Sequence, residues 1–364
     1  MKNRNEHLIF LAGGGTAGHV YPNMALAKAL RARGFDLAYL GNRHSIEEKI
    51  VTAEGIRFYR ADSAGLARNG GLKVLKTPFI VLRGIFQSLH QVRVQKPALI
   101  FCKGGYGSLA PAVAGFLTGT PVVAHESDMT PGLANKLCTP FAKKVCVTFQ
   151  DTLKYLPEKK GVFTGTPIRS ELTEGSRKAG FDRTGLNPDG KPVLLVMGGS
   201  LGAKAVNEAV LSAKEQLLEH FQILHLFGSM QEGNDHLVSE PDRGYFVTDY
   251  ANEELRDYFA ISDVVLSRAG ANAINELLLL KKPAVLVPLP LTASRGDQIL
   301  NAEYFEKHGF AKMLPQEDIT DETLLKAILE VYQNRDAYIR AMSSGNAKNG
   351  TDEVVKVILG VLQG

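Results

Sequence analysis

Short runs of apolar residues alternate along the whole chain with stretches in which apolar residues recur at helical spacing. This alternation is typical of β-α-β units, and continuous apolar strands suit a parallel sheet that is buried on both faces. The predicted strands of the first half are Leu8–Ala12, Leu37–Leu40, Ala98–Phe101, Val122–His125 and Val145–Thr148. Those of the second half are Val193–Met197, Gln222–Leu226, Tyr245–Thr248, Val264–Leu266 and Ala284–Pro288. The pattern predicts an α/β fold with doubly wound parallel sheets.

One motif occurs twice, about half the chain apart. LIFLAGGGTAG, which begins at Leu8, matches PVLLVMGGSLG, which begins at Pro192. Each reads as a buried strand, a Gly-rich turn with a hydroxyl residue, and the start of a helix. For 364 residues, at about 150 residues per domain, the repeat predicts two Rossmann-like domains. We place the boundary within Thr164–Ser170, so that the domains comprise residues 1–165 and 166–345.

Both Gly-rich turns are candidate binding loops for anionic or polar groups. Glycine lets the backbone approach a ligand closely, and the following helix offers unpaired N–H groups and a positive dipole end. Such a turn can also serve tight strand-to-helix geometry alone, but two at matching positions, Gly13–Gly18 and Gly198–Gly202, favour two ligand sites. A dinucleotide would need an acidic residue at the end of the next strand. That strand ends in Leu40-Gly-Asn-Arg43, which counts against a dinucleotide.

Polar clusters follow several other predicted strands, where open α/β sheets bind their ligands. Lys103–Ser108 and His125–Asp128 lie in the first half, and the histidine and carboxylates of the second cluster could act as acid or base, or only bond their own loop. In the second half, Glu276 of Ser267–Glu276 could accept hydrogen bonds from ribose hydroxyls or only stabilise the first turn of a helix. Ser294–Gln298 adds further polar side chains.

The net charge of +4 conceals a strong asymmetry between the two halves. Residues 1–170 carry 23 Lys and Arg against 10 Asp and Glu, a net charge of +13. Residues 171–364 carry 19 against 28, a net charge of −9. Residues 63–125 contain no acidic residue at all. Such asymmetry indicates contact with a polyanion or a membrane surface on the first half.

The acid-free segment contains one amphipathic helix pattern. Thr77 and Pro78 predict a helix start, because threonine caps helices and proline fits the first turn. Apolar residues then recur at helical spacing among basic ones: Phe79, Leu82, Phe86 and Leu89 with Lys73, Lys76, Arg83 and Arg93. This helix could pack in the core with one solvated edge. Alternatively, it could dock on anionic lipid, where each basic residue would contribute about 1 kcal/mol of binding free energy.

The remaining composition narrows the possible chemistry. Cys102, Cys138 and Cys146 lack metal-ligand spacing and are expected to be buried free thiols. The chain has no D-x-D triplet and no His/Cys cluster, so we expect no metal or other cofactor to be required. No run reaches the roughly 18 apolar residues of a membrane span. Nucleic acid is not an expected partner, because the basic region lacks stacking aromatic residues.

Taken in order, seven segments resemble the MurG family of peptidoglycan glycosyltransferases. They cover about residues 8–310 and read GGGTAGHVYPNMALAKAL, KGGYGS, HESDMTPGLANK, GTPIR, GGSLGA, SRAGANAINE and RGDQILNAEYF. The resemblance implies the GT-B fold, in which two Rossmann-like domains are separated by a deep cleft, with the acceptor on the first and the sugar nucleotide on the second. It also implies that a C-terminal helix within residues 346–364 packs back on the N-terminal domain.

The resemblance implies a reaction as well. Members of the family transfer N-acetylglucosamine, with inversion, from UDP-N-acetylglucosamine to undecaprenyl-diphosphate-linked N-acetylmuramyl-pentapeptide, which converts lipid I to lipid II. They act as peripheral proteins at the cytoplasmic face of the bacterial cell membrane, where anionic inner-leaflet lipids are expected partners. Two alternatives stay open: a related transferase with another lipid acceptor, such as a diacylglycerol glycolipid, and a non-catalytic sugar-nucleotide-binding scaffold on the membrane.

The resemblance also assigns candidate site residues. His19 is the preferred catalytic base, and Glu126 is the second candidate. The donor would contact Thr16, Ala17, Gly18, Arg169, Ser200, Ala251, Ala271, Asn272, Ala273, Ile274, Asn275, Glu276 and Gln298. The acceptor would contact Gly15, Tyr106, His125 and Asp128. The amphipathic helix pattern adds the candidate membrane residues Lys73, Lys76, Phe79, Leu82, Arg83 and Phe86.

Two positions depart from the family pattern. The common loop is G-G-T-G-G-H, and Ala17 replaces one of its glycines. The family often has H-E-Q-N where this chain has His125-Glu-Ser-Asp128. An aspartate in place of asparagine loses the N–H donors and adds negative charge near the expected diphosphate.

Overall fold

The computed structural model describes residues 5–15, 17–64, 72–199, 202–228, 238–345 and 349–364, with only the backbone of residues 17 and 72–76. The chain divides into two compact units. The first unit comprises residues 1–169 and 349–364, and the second comprises residues 170–348. The division falls after Arg169, inside the expected boundary segment Thr164–Ser170 although later than residue 165, and the C-terminal segment belongs to the first unit.

Thirteen strands and fourteen α-helices are found in the described residues. Strands β1 to β13 are Asn5–Ala12, Asp36–Gly41, Arg57–Arg60, Pro97–Cys102, Val122–Glu126, Lys144–Val147, Gly161–Phe163, Val193–Met197, Gln222–Leu226, Tyr245–Thr248, Val264–Ser267, Ala284–Leu286 and Lys312–Met313. Helices α1 to α14 are Ala17–Arg31, Ile46–Ala53, Leu72–Gln95, Leu109–Thr118, Leu133–Cys138, Arg177–Thr184, Lys204–Ser212, Lys214–His220, Leu255–Ile261, Ala271–Leu280, Asp297–Lys307, Asp321–Gln333, Arg335–Ser344 and Gly350–Gln363.

Each unit is built on one sheet of parallel strands. The first sheet has the order β3-β2-β1-β4-β5-β6-β7, and the second has the order β10-β9-β8-β11-β12-β13. All strand pairs within these sheets are parallel. Both sheets therefore share the Rossmann-like strand order, which reverses between β1 and β4 and again between β8 and β11. The prediction of two doubly wound α/β domains is confirmed.

Alternate residues of β1 pack against different helices, because successive side chains of a strand point to opposite faces. Ile9 and Leu11 belong to a buried cluster that includes residues of α1, α2 and α14. Leu8 and Phe10 belong to a second buried cluster that includes residues of α3, α4 and α5. The sheet of the first unit is thus covered on both faces, as its continuous apolar strands predict.

Helix α14 is attached to the segment that joins the two units in the sequence. Asn349, which caps α14, accepts a hydrogen bond from the Ile168 N–H at 3.1 Å and donates to the Ile168 carbonyl at 2.8 Å. The Gly350 N–H donates to the Thr166 carbonyl at 3.0 Å. These bonds and the apolar contacts of α14 with α1 place the C-terminal segment on the first unit.

The structure differs from the predicted elements in two respects. Strands β3, β7 and β13 were not predicted, because each is short and lies at or near a sheet edge, where an apolar run is not required. The predicted start of α3 at Thr77 and Pro78 is wrong, since α3 begins at Leu72 and contains Pro78 in its interior. The three cysteines are buried free thiols, as expected.

Candidate functional site

Strand order brings the predicted loops of each unit together. β1 and β4 are neighbours at the point where the strand order of the first sheet reverses, so the Gly13–Gly15 turn and the Lys103–Ser108 turn lie side by side. β8 and β11 occupy the equivalent place in the second sheet. Ligands of open α/β sheets bind at such switch points, outside the carboxyl ends of the strands.

Two polar side chains fix the Gly13–Gly15 turn through hydrogen bonds. The Tyr39 hydroxyl donates a hydrogen bond to the Gly13 carbonyl. Asn23 Nδ2 donates to the Ala12 carbonyl at 3.2 Å and to the Tyr39 hydroxyl oxygen at 3.2 Å. The strand end and the turn are thus fixed relative to α1, which carries Asn23, and to β2, which carries Tyr39.

The two glycine-rich turns of the first unit touch each other so closely that side chains are excluded. A Cβ on Gly15 would lie 2.5 Å from Cε1 of Tyr106, and Gly15 has a φ of 105°. A Cβ on Gly105 would lie 2.1 Å from the Gly14 carbonyl oxygen and 3.2 Å from Nε2 of His19. Only glycine fits these positions. The contact brings the predicted residues Gly15, His19 and Tyr106 together.

Glu126 is buried at the end of β5, and both of its carboxylate oxygens are occupied. Oε1 accepts a hydrogen bond from the Asp128 N–H at 3.0 Å. Oε2 accepts from the Gly132 N–H at 2.8 Å and from Nδ2 of Asn135 at 2.8 Å. A carboxylate bonded to both ends of a short loop determines the shape of that loop. The structure therefore places this candidate base where it holds residues 127–132.

His125, predicted to contact the acceptor, lies in the core. Its ring is buried, and Nε2 donates to the Gly165 carbonyl at 2.9 Å. Burial, aided by the charge of Lys103, lowers the pKa of His125 well below its ordinary value, so the ring is neutral. Asp128, three residues further on, is only partly buried. The two predicted acceptor residues of this segment thus occupy different environments.

Two ionisable residues of the first unit received no individual role from the sequence: Lys103 was only the first residue of a polar cluster, and Glu47 was not considered. Lys103 is fully buried, and its ammonium donates a hydrogen bond to Ser127 Oγ. Glu47, at the start of α2, is also buried, and a Cβ on Gly14 would lie 2.8 Å from its Oε1. Burial and the charge of Glu47 raise the pKa of Tyr106. Nothing in the local sequence of α2 indicates that Glu47 reaches a loop more than thirty residues earlier.

In the second unit, the start of α10 and Gln298 are close together. Gln298, near the start of α11, accepts a hydrogen bond from the Leu289 N–H at 3.1 Å. A Cβ on Gly270, which precedes α10, would lie 3.9 Å from Nε2 of Gln298. Glu276 lies in the second turn of α10, so the alternative that it is a first-turn acid is wrong.

Arg268 organises the same region, although the sequence did not single it out. Its guanidinium donates to the carbonyls of Val287 and Pro288, at 3.2 and 3.3 Å, and to Oε1 of Gln316 at 2.8 Å. Burial lowers the pKa of Arg268. This side chain ties the end of β11 to the chain that follows β12 and leads towards Gln298.

The other predicted donor residues are distributed over both units. Within α10, Ala271 and Ile274 are buried, Asn272 and Ala273 are partly buried, and Asn275 donates to the Ala271 carbonyl at 2.7 Å. Ala251 follows β10, three strands from β11 in the sheet.

Gly18 and Arg169 belong to the first unit, where the Arg169 guanidinium lies 5.1 Å from the Tyr21 ring centre. Thr16 and Ser200, and the side chains of Ala17, Lys73 and Lys76, lie outside the described residues.

Comparison with known proteins identifies the family. The model of the glycosyltransferase family 28 N-terminal domain matches residues 9–147, and that of the C-terminal domain matches residues 193–358. The chain is 45% identical over 350 residues to the UDP-N-acetylglucosamine–N-acetylmuramyl-(pentapeptide) pyrophosphoryl-undecaprenol N-acetylglucosamine transferase of Clostridium botulinum strain Loch Maree. That match covers 96% of this chain and 98% of the Clostridium protein. The chain belongs to glycosyltransferase family 28.

Solved structures agree with the assignment to family 28. Acinetobacter baumannii MurG is 28% identical, with a TM-score of 0.72 over 97% of this chain and 99% of that protein. The glycosyltransferase of kitacinnamycin superimposes with a TM-score of 0.73 at 16% identity, covering 98% of this chain and 99% of that protein, which shows a shared fold alone. The GT-B class predicted from the sequence is confirmed.

This family 28 chain displays an apolar surface on its first unit, which we call the α3–α4 surface. Phe79, Leu82 and Phe86 of α3 are between 51% and 75% exposed. Phe116 and Leu117, at the end of the adjacent helix α4, are each 59% exposed and were not predicted. Their apolar sequence resembles that of a core helix, yet the structure leaves both side chains exposed.

Arg83 borders the α3–α4 surface and is ion-paired. Its guanidinium bonds Asp62, which also accepts from Arg60 at 2.7 Å and from Nε2 of Gln87 at 3.1 Å. Burial raises the pKa of Asp62, but the hydrogen bonds from Arg60, Arg83 and Gln87 together lower it below its ordinary value. The basic edge of α3 is therefore partly neutralised by an acid that lies just before the acid-free segment.

Among the described residues, no group of three or more His, Cys, Asp or Glu side chains could hold a metal ion. No helix in the part of the chain that the structure describes has both the length and the apolar character to cross a membrane.

Proposed function

We propose that this chain is an inverting glycosyltransferase that moves N-acetylglucosamine from UDP-N-acetylglucosamine to undecaprenyl-diphosphate-linked N-acetylmuramyl-pentapeptide, and so converts lipid I to lipid II in peptidoglycan synthesis. The observation that carries this proposal is the 45% identity, over 96% of the chain, to the Clostridium botulinum enzyme whose name states that donor and that acceptor. The match extends through both units and therefore includes the strand-end loops of each.

The second unit is proposed to bind the sugar nucleotide. The N-terminus of α10 presents the positive end of the helix dipole, which suits a diphosphate. Gln298 lies beside it and can bond hydroxyls of the sugar. Glu276, in the second turn of α10, is proposed to accept hydrogen bonds from the ribose hydroxyls. Arg169 is a further proposed donor contact, and Arg169→Ala should lower turnover by roughly 10²–10³-fold if it stabilises the leaving group.

The first unit is proposed to bind the acceptor diphosphate at the Gly13–Gly15 turn and the start of α1. His19 lies in the first turn of α1 beside Gly105, and we propose it as the base. Glu126 already accepts three hydrogen bonds, which favours a loop-holding role over proton transfer. His125, being buried and neutral, is proposed to support the same sheet edge rather than to touch the acceptor.

The proposed chemistry is a single in-line displacement. The acceptor hydroxyl oxygen forms a bond to the anomeric carbon while the bond from that carbon to the UDP oxygen breaks, which inverts the configuration. The electron pair leaves with UDP, and the hydroxyl proton passes to the base. Helix N-termini and side-chain donors would stabilise the charge that develops on UDP. We therefore propose that no metal or organic cofactor is required, and that a metal chelator leaves the rate unchanged.

The α3–α4 surface is proposed to rest on the cytoplasmic face of the membrane as a peripheral contact. Its exposed phenyl and leucyl side chains can insert among lipid chains, at about 1.5–3 kcal/mol for each fully buried side chain. The basic residues of the first half would attract anionic inner-leaflet lipids at about 1 kcal/mol each. This arrangement would hold the acceptor-binding loops near a lipid-linked substrate.

Product analysis tests the proposed reaction. The full chain is incubated with labelled UDP-N-acetylglucosamine and a lipid I analogue, and the products are identified by mass spectrometry. We expect a lipid-linked disaccharide and UDP in equal amounts. Transfer to a diacylglycerol acceptor in competition with the lipid I analogue would favour a related transferase instead. Donor binding without any product would favour a non-catalytic scaffold.

Vesicle binding tests the proposed membrane contact. Phe79→Ser with Phe86→Ser should reduce sedimentation with phosphatidylglycerol vesicles at least about tenfold, because two apolar insertions are lost. The matched control is Val238→Ser, which replaces an apolar residue of the second unit that is 68% exposed. Both variants should retain activity on a short-chain, soluble acceptor. Equal vesicle binding by both variants would show that the α3–α4 surface does not contact lipid.

A further inference from the structure

Lys103 is a buried lysine among the loops proposed to bind the acceptor. Lys103 is 0% exposed and directly follows β4. It lies against the Gly13 turn, since a Cβ added to Gly13 would lie 3.1 Å from Cβ of Lys103. Its ammonium reaches Ser127, in the loop that follows the neighbouring strand β5. A buried charge is unfavourable unless it is hydrogen-bonded and paired with an opposite charge. The surroundings of Lys103 must therefore supply a hydrogen-bond acceptor and a negative charge.

Ser127 Oγ accepts the hydrogen bond from the Lys103 ammonium, and two carboxylates supply the opposite charge. Glu126 and Asp128 both raise the pKa of Lys103, while burial, the larger effect, lowers it to about 8. The other titratable groups that face it carry no charge at neutral pH. Burial lowers the pKa of His125 well below its ordinary value and raises the pKa of Cys146 to about 12. One buried cation thus interacts with two anions.

The same two anions belong to the loop of residues 126–132. Glu126 bonds the backbone N–H groups of Asp128 and Gly132, so its position determines where the loop turns. Two carboxylates this close in sequence repel each other unless a cation compensates them, and the repulsion is strong in a poorly solvated site. Removing the ammonium would leave Glu126 and Asp128 uncompensated and would loosen the loop.

We infer that Lys103 is a positioning residue for the acceptor: it connects the loop after β4 to the loop after β5 and compensates the carboxylates there, so that residues 126–132 keep the shape that binds the acceptor. The inference rests on the proposed function, which makes this loop part of the acceptor site. It also explains how the chain accommodates Asp128 where the family often has asparagine, because the added negative charge meets a cation at the same sheet edge.

Steady-state kinetics with both substrates tests the inference. Lys103→Met keeps the length of the side chain and removes the charge, and should raise the acceptor KM about tenfold or more, while the donor KM changes less than about twofold. Adding Asp128→Asn to Lys103→Met removes one uncompensated carboxylate and should lower the acceptor KM again by about threefold. The matched control is Lys282→Met in the second unit. Lys282 also has a pKa lowered by burial to about 8, and it donates a hydrogen bond to the Ser262 carbonyl at 2.8 Å. Because Lys282 lies in the second unit, Lys282→Met should leave the acceptor KM unchanged.

Hydrogen exchange gives a readout that does not depend on turnover. Peptides covering residues 126–132 should exchange faster in Lys103→Met than in the wild type, and at the wild-type rate in Lys282→Met. Unchanged exchange, an equal rise in both KM values, or a double variant no better than Lys103→Met would each overturn the inference. Failure of the wild type to form the disaccharide would refute the proposed function instead, and the exchange experiment would still decide whether Lys103 orders the loop.

Discussion

Gly84 marks a place where helix α3 touches another part of the backbone. A Cβ added there would lie 1.9 Å from the Asp62 carbonyl oxygen and 3.0 Å from its carbonyl carbon. Backbone atoms cannot turn aside as a flexible side chain can. Gly84→Ala therefore requires α3 to move away from Asp62, although alanine is the better helix former by about 1 kcal/mol.

The size of the effect follows from the bonds between α3 and Asp62. A tolerable separation of 3.0–3.4 Å from that oxygen requires a shift of about 1.1–1.5 Å. Such a shift lengthens the bond from the Asp62 N–H to Oε1 of Gln87, now 2.8 Å, and those from Gln87 and Arg83 to the Asp62 carboxylate. Losing two or three such bonds costs about 2–3 kcal/mol. After the gain in helix propensity, we expect a net loss of about 1–2 kcal/mol.

Urea denaturation followed by circular dichroism measures this loss, and hydrogen exchange of peptides from α3 locates it. The matched control is Gly360→Ala in α14, since Gly360 is exposed and an added Cβ meets nothing within 4 Å. The control should gain about 0.5–1 kcal/mol from helix propensity alone. If Gly84→Ala is as stable as the control, the close approach of α3 to Asp62 does not exist in solution and the reasoning is wrong.

Three further outcomes are expected for stability. Hydrogen bonds to the Asp62 carboxylate lower its pKa in the folded chain. Their contribution to the free energy of unfolding should therefore be present above about pH 4 and be lost as the pH falls further. Urea titrations from pH 3 to 6 should show a smaller loss of stability on acidification in Asp62→Asn than in the wild type. The pKa of Lys103 is 10.5 in the unfolded chain and about 8 in the folded chain. The free energy of unfolding of the wild type should therefore rise as the pH increases from about 8 to 10.5, and Lys103→Met should lack this rise. Gly350→Ala, whose Cβ would lie 2.5 Å from the Gly165 carbonyl carbon, should lower the stability of the first unit by about 1–3 kcal/mol in thermal denaturation.

Several features of the site were predictable because they depend on neighbours in the sequence. The apolar strands identified the sheet residues, and the Gly-rich turns after β1 and β8 fell where each strand order reverses. The turn glycines are detectable because a strand-to-helix turn with a close backbone contact excludes other residues. The order of the motifs then identified the family.

The roles of the charged residues were less predictable, because each depends on partners distant in sequence. Glu126 was a candidate base from its position at a strand end, yet its oxygens are filled by the loop that it shapes. His125 was a candidate acceptor contact, yet the Gly165 carbonyl and the sheet enclose it. Arg83 was assigned to lipid, yet it bonds the acid that precedes the acid-free segment.

The sequence by itself determined the two parallel-sheet units, the position of the Gly-rich turns and the family, because hydrophobic periodicity and glycine requirements are local properties of the chain. The tertiary structure alone decided that Lys103 is buried and bonds Ser127, which lies between Glu126 and Asp128 in the sequence, and that Phe116 at the end of α4 stays exposed. Burial and charge compensation are set by residues that meet only after the strands have assembled. The chemistry of an ionisable side chain follows from those contacts rather than from its own sequence neighbourhood.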